Sequence, residues 1–111
     1  MILHITTRES WATAVSTPHY STDSLYTEGF IHCSTPEQVL KLANEMFRGQ
    51  TNLILLCLDP ALVTADIVYE DCYESGMVFP HIYGRLNTNA VIKTVDFPAN
   101  EDGLFSLPTD L

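Results

Sequence analysis

The sequence predicts a small single domain of the α+β class, built on a mostly antiparallel sheet with two main helices. Three observations carry that reading. A chain of 111 residues, 46% hydrophobic and 17% charged, suits one compact core spanning residues 1–111. Two strand-then-helix units with recognisable caps fill the first half. The second half runs strand after strand with turn residues between.

Ile2 to Thr6 is short, apolar and rich in branched residues, the composition of a strand. Thr6-Thr7-Arg8-Glu9 then has the form of a capping box, opening a helix that carries Trp11, Ala12 and Val15, with Trp11 expected in the core. Residues 16–28 contain Pro18 and two small polar clusters, so they are expected to form a loop with one helical turn near Asp23 to Tyr26. A loop of that length is usually functional, and this one carries His19, expected exposed, and Tyr20. Phe30 to Ser34 is the second strand, and Thr35-Pro36-Glu37-Gln38 predicts a helix starting at once, with a Thr cap, Pro in the first turn and Gln closing the box. Val39, Leu42, Ala43, Met46 and Phe47 share one face of it, and Gly49 stops it. Leu53 to Leu58 is apolar throughout, as a strand buried on both faces should be. Further strands are expected at Asp66 to Glu70, Phe79 to Gly84 and Val91 to Phe97, with an edge piece at Gly103 to Leu107.

The net charge of −9, from 14 acidic and 5 basic residues, argues against nucleic acid as a partner, since Arg8, Lys41, Arg48, Arg85 and Lys93 form no stripe. The first ten residues lack a signal-peptide pattern and the longest apolar run, Leu53 to Leu58, is too short to span a bilayer, so a cytoplasmic protein without membrane partners is expected. Cys33, Cys57 and Cys72 lack a CxxC spacing and are expected reduced and structural.

Strand alternation places Leu3 and Ile5 on one face of the first strand and His4 on the other, with Ile2 and Thr6. The same split puts Phe30, His32 and Ser34 opposite Ile31 and Cys33, and His81, Phe79 and Tyr83 opposite Ile82. Three strands thus offer a histidine on what is expected to be the non-core face, which suggests a shared small-molecule cleft. His32 and His81 are the candidate catalytic groups, because neutral imidazole can both donate and accept near neutral pH. His4, Thr6, Tyr20, Ser34, Thr35, Glu70 and Tyr83 are the candidate ligand-binding residues. Ser34, Thr35 and the following helix start would suit a phosphate. Plainer roles account for several of these residues: the TPEQ box is sufficiently explained by capping, Glu70, Asp71 and Glu74 read as a solvated acidic edge, and Tyr26, Tyr69 and Tyr73 as packing or surface aromatics. Cys33 beside His32 has the look of a nucleophile–base pair, but adjacent strand residues point apart, so Cys33 is assigned to packing. A metal site from His4, His32 and His81 with Glu70 is the minority alternative, without any compact zinc spacing behind it.

Taken together, LHIT, Trp11, Tyr20, EGFIHCST, Gln38, LLCLDPALV, Tyr69-Glu70 and FPHIYGRL resemble the bacterial family called domain of unknown function 952, over nearly the whole chain. The resemblance implies a domain similar to the ADP-ribosyltransferase fold, a split and strongly bent β-structure whose cleft grips NAD. It also implies a distant similarity to the RNA 2′-phosphotransferases, whose HLS element is similar to His32-Cys33-Ser34. A phosphate-containing, NAD-like small molecule is the ligand so implied, with transferase chemistry the reaction. A non-catalytic binding module and a metal-dependent hydrolase are the alternatives. The closing glutamate pair of many ADP-ribosyltransferases and the arginines of the phosphotransferases are absent here, so the resemblance leaves the reaction open.

Overall fold

The structure, a computed structural model, describes residues 1–72 and 74–111, so the expectation for Tyr73 lies outside the described residues. In chain order the elements are β1 (Ile2–Thr7), α1 (Arg8–Ala14), β2 (His19–Tyr20), α2 (Asp23–Thr27), β3 (Ile31–His32), α3 (Val39–Met46), β4 (Leu53–Leu58), β5 (Asp66–Glu70), β6 (Phe79–Tyr83), β7 (Leu86–Asn87) and β8 (Val91–Asp96). Antiparallel pairing assembles them into a sheet of order β1-β4-β8, a sheet of order β3-β6-β5 and a ribbon β2-β7. One bridge joins the two larger sheets: Leu3 N–H donates to the Ser34 carbonyl at 2.7 Å and Ser34 N–H to the Leu3 carbonyl at 2.8 Å.

β4 lies in the middle of the packing. Leu53, Leu55 and Cys57 face a cluster with Leu3, Ile5, Val39 and Ala43 of α3, Phe97 and Phe105. Ile54, Leu56 and Leu58 face a second cluster with Ile2, Ile31, Cys33, Ile82 and Leu86. All six β4 residues are buried, as their unbroken apolar run requires. Each such leucine contributes about 2 kcal/mol of burial.

This layering corrects one expectation. Alternation along β1 holds, but His4 and Thr6 do not lie on a non-core face: they are 5% and 8% exposed, because the β3-β6-β5 sheet covers that side of β1. Ser34 is likewise buried, at 1%.

Local departures have local causes. The cap of α1 is Thr7, whose side chain accepts from Ser10 N–H at 3.1 Å, so the box is shifted by one residue and Thr6 stays in the strand. Residues 16–28 are less loop than expected, since β2 pairs with β7, two-residue strands too short for a periodic signal. The expected turn near Asp23 is α2, and His19 is exposed as expected. Pro36 to Gln38 form a turn, and α3 begins only at Val39, although Gln38 Oε1 does reach back to Thr35 N–H at 3.1 Å. Trp11 is half-buried against the Tyr20 ring. Gly103 to Leu107 forms no strand; Phe105 stacks on Phe97 instead. No helix among the described residues is long and apolar enough to cross a membrane.

Candidate functional site

β3 and β6 set the geometry. Their register places His32 directly opposite His81, and with Ile31 and Ile82 turned into the core, both imidazoles stand on the opposite face of the sheet, ring centroids 5.4 Å apart. Phe30 packs against this pair, 4.9 Å from the His32 ring and 4.0 Å from the His81 ring. Each histidine also meets a carboxylate: His32 Nε2 lies 2.8 Å from Glu28 Oε2, and His81 Nδ1 lies 2.9 Å from Glu70 Oε1. A carboxylate on one imidazole nitrogen fixes the ring and its tautomer.

Glu70 is shared. It ends β5, on the same face as His81, and also accepts from the Tyr83 hydroxyl. The Tyr83 hydrogen bond first, and the His81 one second, hold the Glu70 carboxyl below the usual range, while the same bond pushes Tyr83 up to about 12. Cys72, just beyond β5, brings its sulfur to 3.8 Å from His81 Nδ1. Desolvation and the hydrogen bond to Glu70 raise its thiol pKa.

His4 is placed differently. Its Nδ1 lies 2.6 Å from the backbone carbonyl of His32, which can only accept, so Nδ1 carries the hydrogen and Nε2 accepts from the Tyr20 hydroxyl at 2.8 Å. Thr6 Oγ1 lies 2.8 Å from the same tyrosine oxygen. Burial lowers the His4 pKa to about 4, so the ring is neutral, and burial raises Tyr20. His4 therefore meets the main chain of His32. His32 and His81 stand together, whereas His4 belongs to the seam between the sheets.

Two cavities meet at His32. One, of about 430 Å³, is lined by hydroxyls of Thr6, Ser10, Tyr20, Thr22, Ser24 and Ser34, together with His4 and His32. The other, of about 550 Å³, is lined by His32, His81, Glu28, Lys41, Met77 and Phe79. His32, Cys33, Leu42 and Met46 border both. Ser34 Oγ is buried without a hydrogen-bond partner among the described residues, an exception among buried polar groups. Thr35 N–H is taken by Gln38, and Lys41 is paired with Glu45 at 2.9 Å. The helix start is thus largely satisfied from within.

Cys33 is buried, and burial pushes its thiol well up, in keeping with a packing role. Strand alternation places Phe30 on the face of His32, as observed, though without a role assigned to it, whereas Glu28 and Cys72 were missed. Glu70 and Cys72 are two residues apart at a strand end, an alternation that could have marked Cys72 as sharing the face of Glu70.

The crystal structure of CC0527 from Caulobacter crescentus superposes with a TM-score of 0.84 at 31% identity, covering 96% of this chain and 93% of that one. A crystal structure of its double-methionine variant gives 0.83 at the same identity and coverage. Its solution structure gives 0.76 at 30% identity, covering 99% of this chain and 95% of that one. No curated protein matches the chain. The profile described as "Protein of unknown function (DUF952)" matches residues 5–94. A match over that span, with a relative alike across nearly the whole fold, establishes that the chain belongs to the DUF952 family.

Proposed function

We propose that the groove around His32 binds a nucleotide-type small molecule and that His32, opposite His81, serves as general acid or base on it. The observation that carries this reading is the His32–His81 pair, two imidazoles on facing strands, each held on its own carboxylate. Such a pair can present a proton acceptor and a donor to one ligand, the requirement for transferring a phosphoryl or glycosyl group. The adjoining cavity, with hydroxyl-bearing Ser10, Thr22 and Ser24 among its lining residues, suits ribose hydroxyls. Phosphate oxygens would then lie at the imidazoles, and Tyr83, 41% exposed, offers a ring edge for a base. The similarity to the ADP-ribosyltransferase fold inferred from the sequence supports NAD or ADP-ribose as the first probe.

Isothermal titration of the protein with ADP-ribose and with NAD, followed by chromatography of the products, tests the proposal. Binding should weaken about tenfold to a hundredfold in His32→Ala, the worth of one charge-assisted hydrogen bond. Affinity that survives His32→Ala, with no product formed, would reassign the groove to a non-catalytic binding module.

A further inference from the structure

We propose that Glu70, Cys72 and His81 form a binding site for a divalent transition-metal ion of the zinc type. One donor atom from each of the three residues can be chosen so that all lie within 4.8 Å of one another. A tetrahedral ion with bonds of about 2.3 Å to sulfur and about 2.0–2.1 Å to nitrogen and oxygen separates sulfur from nitrogen by about 3.6 Å and nitrogen from oxygen by about 3.3 Å. The corresponding separations here are 3.8 Å for Cys72 Sγ to His81 Nδ1 and 2.9 Å for His81 Nδ1 to Glu70 Oε1. Both lie within a few tenths of an ångström of the tetrahedral values, and the third, between the thiol and the carboxylate, closes within the same 4.8 Å.

The surroundings favour the same reading. His81 is 2% exposed and fixed by the β6 register, so its nitrogen is already in place. The Tyr83 hydroxyl orients the Glu70 carboxylate, the arrangement that outer hydrogen bonds give to metal ligands. Asp71, next to Cys72 in the chain, accepts from Ser75 N–H at 2.9 Å and Gly76 N–H at 2.7 Å. A donor set of thiolate, imidazole and carboxylate selects zinc, cobalt or nickel over magnesium or calcium. Three protein ligands leave the fourth position of a tetrahedron for water or ligand. On binding, Cys72 loses its thiol proton to solvent, and the His81 hydrogen that Nδ1 donates to Glu70 in the metal-free protein is given up while Nε2 gains one by exchange with solvent, so the neutral ring ligates through Nδ1. This inference does not rest on the nucleotide reading: it makes His81 a metal ligand and does not use His32. It also differs from the set the sequence suggested, since His4 is engaged elsewhere.

Cobalt(II) titration of the metal-free 111-residue chain tests it. One equivalent should bind with tetrahedral visible bands and a thiolate-to-cobalt charge-transfer band in the near ultraviolet, and zinc should displace it. Cys72→Ser should abolish the charge-transfer band, and Tyr83→Phe should lower zinc affinity about tenfold to a hundredfold. Both substituted side chains are exposed, so folding is not at stake and circular dichroism can verify it. Cobalt binding without a charge-transfer band, or zinc affinity unchanged in both Cys72→Ser and Glu70→Gln, would overturn the proposal.

Discussion

Acidification should expose the cost of burying His4, and the amount can be worked from its surroundings. With Nδ1 donating to the His32 carbonyl and Nε2 accepting from Tyr20, the folded protein holds the ring neutral, with a pKa lowered to about 4 chiefly by desolvation. In the unfolded chain the same ring titrates near its ordinary value of 6.5. The unfolded state therefore takes up a proton first. The stability tied to neutral His4 is fully present above pH about 6.5, is lost as pH falls towards 4, and declines no further below that. The difference between about 4 and 6.5 corresponds to roughly 3 kcal/mol in total, and about 2 kcal/mol of it is lost between pH about 7 and about 5. That is a large part of the stability of a domain this size. Carboxylates contribute their own pH dependence, so the comparison is with His4→Gln, which keeps one donor and one acceptor and cannot titrate. Urea unfolding should show wild type losing about 2 kcal/mol more than His4→Gln between pH about 7 and about 5. Parallel pH profiles, or a His4 resonance titrating with an ordinary midpoint, would refute the burial argument.

Two further outcomes test the seam and the sheet turn. Tyr20→Phe removes the donor to His4 Nε2 and the neighbour of Thr6 Oγ1 inside the core, so urea unfolding should show a loss of about 1–3 kcal/mol, well above that of a surface Tyr→Phe control at Tyr26. At Gly84, φ is +156° and an added Cβ would meet Ala65 Cβ at 2.9 Å, so Gly84→Ala should lower stability by about 1–3 kcal/mol in the same assay, and an unchanged midpoint would show that the β5-β6 end can relax.

Much of the fold was legible because its signals are local. The six-residue apolar run of β4 and the alternation in β6 need only a window of neighbouring residues, and both strands lie where that pattern puts them. What was not legible depends on distant covering. Nothing near His4 in sequence reveals that the β3-β6-β5 sheet closes over its face of β1, and the pairing of β2 with β7 joins residues more than sixty positions apart. The TPEQ box behaved similarly: Gln38 does reach back to Thr35, yet regular helix starts at Val39. At the candidate site, His32, His81, Glu70 and Tyr83 were visible through strand parity. Parity put Phe30 on their face as well, but Glu28 was not visible, because its contact depends on the turn that leads into β3. Cys72 lies two residues past the end of β5, where only carrying the strand's alternation on beyond Glu70 would have placed it on that face.

The most direct test of the nucleotide reading is an amide chemical-shift titration with ADP-ribose at millimolar concentration, read at Gly29 to Thr35 and Phe79 to Tyr83. Saturable shifts in both segments, reduced in His32→Ala, are predicted; unmoved resonances in both would contradict it.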